Sequence, residues 1–174
     1  METTFRNKVA ESGILTLDLA PFMPADESIA SFDLKPFLFR ELILREKDYR
    51  QALKEFDFSP YQDKHVALHC TADAIIPMWA YMLATSYLQP LAQSIHFGDE
   101  NFVRQTVLLA NIHAAVQPED YQDKRVVLKG CGDVSISEAA YVAASSILLP
   151  VVKSLMYGEP CSTVPVYKQA LRRD

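Results

Sequence analysis

Three cysteines, Cys70, Cys131 and Cys161, are the side chains in this 174-residue chain with the widest chemical reach. A thiolate is both a nucleophile and a soft metal ligand. Each thiol also has a second donor nearby in sequence: His69 precedes Cys70, Asp133 follows Cys131 by two positions, and Glu159 precedes Cys161 by two. Such a set could hold zinc or an iron–sulfur cluster, with Cys70, Cys131 and Cys161 as ligands and His69, Asp133 or Glu159 as the fourth. No Cys-x-x-Cys pair is present, so the fold would have to bring the thiols together. Two other readings compete. One thiol could be activated as a redox centre or nucleophile, or all three could be small apolar side chains packed inside the protein.

Other residues carry less. Asp73 and Asp133 could form an acid/base pair, but an aspartate just before a helix more often caps it. His65 and His69 share one face of an expected strand and could both be ligands; ordinary hydrogen bonding is the commoner role there. Gly130-x-Gly132 is too short for a dinucleotide fingerprint, and no nucleophile elbow is visible. Residues 159–165 read as an irregular, proline-bounded loop, and binding residues concentrate in loops at strand ends.

The elements that would position these groups come in two copies. Tyr61-Gln62-Asp63-Lys64 recurs as Tyr121-Gln122-Asp123-Lys124, and the two copies then run in step at a spacing of 60 residues. Val66 matches Val126, Leu68 matches Leu128, Tyr81 matches Tyr141, Pro90 matches Pro150 and Gly98 matches Gly158. A fixed period with matched turn residues marks a repeated supersecondary unit. Each copy opens with a strand (65–70 or 125–130) whose even positions are apolar, continues into a long helix, and closes with a short strand at 95–97 or 155–157. Ser135 and Glu138 have capping-box spacing, Pro77 suits a first helical turn, and Pro90 and Pro150 should end or kink the helices. Residues 99–116 form a helix between the copies.

Ahead of the repeats, residues 14–19 and 29–32 read as strands, and 37–56 as a helix interrupted near Leu44. Strands joined by helices make parallel sheets. The expectation is a single α/β domain with a mostly parallel sheet. It comprises N-terminal strands and a helix (1–60), two tandem strand-helix-strand repeats (61–120 and 121–165) and a tail (166–174). In such a sheet all strands finish on one edge, where open α/β folds bind ligands. Cys70, Cys131 and Cys161 would then share that edge.

The bulk properties exclude several classes. A net charge of −5 argues against a nucleic-acid binder, which needs clustered Lys and Arg. Residues 1–12 lack an apolar run and do not read as a signal peptide, and an odd number of cysteines fits reduced thiols in the cytoplasm. Ala74 to Ile95 contains no charged residue, but its prolines and polar residues favour a buried helix over a membrane span.

The blocks His69-Cys70-Thr71-Ala72-Asp73-Ala74-Ile75-Ile76-Pro77, Lys129-Gly130-Cys131-Gly132 and residues 158–165 carry a resemblance over nearly the whole chain. Together with Leu44-Arg45-Glu46-Lys47-Asp48 and both Tyr-Gln-Asp-Lys turns, they resemble a bacterial family of unknown function, numbered 2480. The resemblance implies a small cytoplasmic protein, supplies no activity, and implies iron–sulfur assembly proteins as partners. Two functions of different kinds follow as expectations: an accessory protein handling a metal or cluster through Cys70, Cys131, Cys161 and His69, or a protein-interaction module, such as a homodimer, with structural cysteines. A thiol-dependent enzyme is the third.

Overall fold

Seven strands and four α-helices are present among the residues that the computed structural model describes, 13–129, 135–159 and 162–170. The strands are β1 (Ile14–Asp18), β2 (Ile29–Asp33), β3 (His65–His69), β4 (Ser94–Phe97), β5 (Arg125–Lys129), β6 (Ser154–Glu159) and β7 (Ser162–Lys168). The helices are α1 (Glu46–Glu55), α2 (Met78–Leu88), α3 (Glu100–Ala115) and α4 (Glu138–Leu148). The fold is α/β with mostly parallel sheets, but the strands divide between two sheets where one was expected. One sheet has the order β2-β3-β4, all parallel; the other has the order β1-β5-β6-β7, parallel except for the β6–β7 pair.

The division follows two compact units. Pro24–Val107 forms the inserted unit, and the chain up to Met23 together with Leu108 onward forms the outer one. In the inserted unit, Val66 and Leu68 turn towards Ala80, Ala84 and Leu88 of α2 and Tyr49 and Leu53 of α1. Phe32 is the aromatic centre of that core, with the rings of Phe37, Phe56, Phe58 and Tyr61 between 5.4 and 5.8 Å away. Ala67 points to the other face, where Ile29, Val103 and Val107 cover it. In the outer unit, Val126 and Leu128 pack with Ala140, Ala144 and Leu148 of α4 and with Leu108, Ile112 and Val116. Burial of both faces is what parallel strands require.

The same backbone hydrogen bonds recur 60 residues apart. Asp63 and Asp123 adopt positive φ (58° and 57°), which lets their amides reach the carbonyls of Leu91 and Val151 at 2.9 and 2.8 Å. The amides of Gln93 and Lys153 likewise donate to Lys64 and Lys124, at 2.8 Å in both cases. A second echo lies in the N-terminal strands. Asp18-Leu19-Ala20-Pro21-Phe22 and Asp33-Leu34-Lys35-Pro36-Phe37 each end a strand and enter a 3-10 turn, and each aspartate accepts the amide two residues on at 2.9 Å. β1 and β2 are the outer strands of their respective sheets.

Several expectations fail for local reasons. The helix at 37–56 is α1 alone, because Arg40 and Glu41 take positive φ and fold Phe39 back against Ile43. The capping box does not form: α4 begins at Glu138 with Ser137 as its N-cap. Pro77 is the N-cap of α2 and so lies one residue ahead of the expected first turn, whereas Pro90 and Pro150 do follow the helix ends at Leu88 and Leu148, as expected. Within the expected loop at 159–165, residues from Ser162 onward belong to β7, an outer strand that tolerates Pro165 because one of its sides needs no sheet partner.

Gly158 turns the chain from β6 towards β7 at φ 119°, and a Cβ there would lie 2.6 Å from the Ser162 carbonyl oxygen. Gly158→Ala should therefore cost about 1–3 kcal/mol in chemical denaturation. An unchanged midpoint would show that this turn relaxes freely.

Candidate functional site

The carboxyl edge of β2-β3-β4 gathers the most varied chemistry among the described residues. Asp33 ends β2, His69 ends β3 and is followed by Cys70 and Thr71, and Phe97 ends β4. Asp33 ties the edge together. Its carboxylate accepts the amides of Lys35 (2.9 Å) and Thr71 (3.0 Å) and the Thr71 hydroxyl, while the Leu34 amide donates to the His69 carbonyl at 2.9 Å. Burial pushes the Asp33 pKa up, but these hydrogen bonds and the nearby His69 hold it below its ordinary value. His69 Nε2 shares a hydrogen bond with Ser31 Oγ at 2.7 Å, and the half-buried, free Cys70 thiol is 3.8 Å from the Ala72 carbonyl.

Beside this edge lies an apolar groove of about 610 Å³ lined by Ile75, Ile76, Met78, Tyr81, Met82 and Phe97. The packing of α2 creates it. Ala80, Ala84 and Leu88 stack inward at intervals of four residues. Met78 and Met82 have the same interval but are offset by two residues, about 200° round the helix, and so face outward. Ile75 is 94% exposed, Met78 and Met82 are each 72% exposed, and Phe97 is 68% exposed. Phe97 meets Tyr81 edge to face at 5.3 Å. Burial, with the adjoining Cys70 and Asp33, raises the Tyr81 hydroxyl pKa.

The corresponding edge of the outer unit differs. Tyr141 and Tyr157 repeat the edge-to-face contact at 5.5 Å, but Glu138 stands where Met78 does. Lys129 Nζ lies 3.6 Å from Glu159, giving that edge a paired cation and anion. His69 and Asp99 occupy the matching positions in the inserted unit.

Of the expected ligands, His69 and Cys70 are neighbours on the inserted unit's edge. Cys131 and Cys161, along with Asp133, Gly130 and Gly132, lie outside the described residues. β3 and β5 belong to different sheets, so no continuous sheet edge joins their ends. Among the described residues no three His, Cys, Asp or Glu side chains are grouped to hold a metal ion. His65 and His69 do not converge: His65 bonds Ser94 Oγ at 2.7 Å, which His96 shares at 2.9 Å, while His69 uses Ser31. Burial, and then His96, lowers the His65 pKa. Asp73 is exposed and makes no hydrogen bond to the start of α2, which has no side-chain cap. No helix among the described residues is long and apolar enough to cross a membrane.

The groove was the feature that sequence reading missed. The charge-free run around α2 suggested a helix buried all round, although Met78 and Met82 lie on the stripe opposite Ala80, Ala84 and Leu88. The spacing of these two sets was the available signal.

Asp33 titrates below its ordinary range, so its contribution to stability is present above about pH 4 and is lost as pH falls through the folded pKa. In Thr71→Val the Asp33 midpoint should rise in carboxyl NMR, and the acid-side loss of stability attributable to it should shrink. An unmoved midpoint would show that the Thr71 hydroxyl does not set it.

A family model described as a protein of unknown function, DUF2480, matches residues 3–169, and the chain belongs to that family. No match was found among curated proteins or among solved structures.

Proposed function

We propose that this DUF2480 protein is a protein-interaction module that receives an apolar segment of a partner in the groove beside the β2-β3-β4 edge. The supporting observation is the outward face of α2, where Met78 and Met82, with Ile75 and Phe97, present large apolar side chains to solvent. Burying such a side chain is worth about 1.5–3 kcal/mol, so four together make a strong anchor. Contiguous apolar surface of this kind marks interaction sites. The carboxyl edge of a parallel sheet is also where open α/β folds place ligands.

The full-length protein should enhance the fluorescence of an apolar dye such as ANS in its native state. Met82→Gln and Phe97→Ser, both at exposed positions, should cut that signal several-fold with little change in Tm. Weak fluorescence from a dimer that Met82→Gln dissociates would make a second copy the occupant. Weak fluorescence from a monomer would remove the docking reading.

A thiol reading attaches to the same edge, because His69 and the free Cys70 stand side by side at the end of β3. His69 bonds Ser31 while Cys70 packs against the opposite-face core, so a zinc or iron–sulfur site would draw its ligands chiefly from Cys131 and Cys161. This reading expects stoichiometric zinc or iron in protein purified anaerobically, lost in Cys131→Ser or Cys161→Ser. Metal-free protein with normal stability in both variants would leave the cysteines to packing.

A further inference from the structure

The charges around the groove narrow the chemistry of its occupant. Asp73 lies two residues before Ile75 in the sequence, and Asp99 and Glu100 follow Phe97 and Gly98. From His65 to Val103 there is no Lys or Arg. The cations nearest in sequence are engaged elsewhere. Lys64 donates to the Glu27 carbonyl at 2.6 Å, Lys35 pairs with Glu41 at 3.4 Å, and Arg104 pairs with Asp26. Among the described residues, Asp73, Asp99 and Glu100 have no ion-pair partner. Asp99 caps α3 by accepting the Phe102 amide at 2.8 Å.

An apolar floor with unneutralised carboxylates nearby is complementary to a chain that combines apolar anchors with flanking cations. The two methionines add adaptability, since an unbranched thioether can repack against different apolar side chains. Their four-residue interval forms a ridge of the kind against which another helix packs. Resting on the docking reading above, we infer that the groove receives a basic amphipathic helix of a partner protein, with large apolar side chains at i, i+4 and i+7 and Lys or Arg beside them.

Three labelled helical peptides test this on the full-length protein by fluorescence anisotropy: Leu/Lys, Leu/Gln and Leu/Glu amphipathic sequences of equal length. At low salt the Leu/Lys peptide should bind at least about tenfold more tightly than Leu/Gln, Leu/Glu should bind most weakly, and added salt should narrow the differences. Asp73→Asn combined with Glu100→Gln should reduce the preference for Leu/Lys without changing Leu/Gln binding. Met82→Gln should weaken all binding several-fold. Equal affinities that Met82→Gln still weakens would overturn the basic partner and leave the docking reading intact. Leu/Lys binding that is insensitive to Met82→Gln would place the peptide outside the groove and overturn the inference. Absence of binding by every peptide to a monomer that also leaves the dye dark would remove both, and a dimer dissociated by Met82→Gln would assign the groove to a second copy.

Discussion

The close packing of α2 on its sheet fixes most of what is distinctive here. Ala80, Ala84 and Leu88 form its buried stripe, packed in one cluster with Val66 and Leu68. Once that stripe is committed inward, helical geometry leaves no choice about the stripe offset by two residues. Met78 and Met82 must then face away from the core, next to Phe97 at the end of β4. The groove is thus a consequence of core packing, produced by a helix with apolar side chains on two faces and one sheet to cover.

Both units share this frame, which makes their differences informative. Ala140, Ala144 and Leu148 repeat the inward stripe, and the Asp63 and Asp123 turns close the two strand-helix-strand connections with matching hydrogen bonds. The edges diverge. Lys129 and Glu159 pair in the outer unit, whereas the inserted unit has His69 bound to Ser31 and, among the described residues, Asp73, Asp99 and Glu100 outside any ion pair. One frame thus carries a Lys129–Glu159 pair at the described part of one edge and an exposed apolar groove beside the other.

Legibility in the sequence followed how local each cause was. The alternation of Val66 and Leu68, the Tyr-Gln-Asp-Lys turns and the prolines after α2 and α4 act within a few residues, and these elements formed where expected. Positive φ at Arg40 and Glu41, which shortened the predicted helix to α1, leaves no comparable mark, since neither is glycine or asparagine. β7 was hidden by Pro165, a strand breaker wherever both strand edges must pair and tolerable only on an outer strand. The Asp-Leu-x-Pro-Phe echo was visible in the letters and would have shown that each repeat has its own first strand.

The α/β class and the parallel strand-helix-strand units were legible in the letters, because periodicity and turn chemistry are properties of neighbouring residues. It took long-range packing to separate the two repeats into different sheets and to choose which face of α2 is left open. Those outcomes depend on strand order and on which apolar stripe reaches a sheet first, and both are set by contacts between residues far apart in the chain.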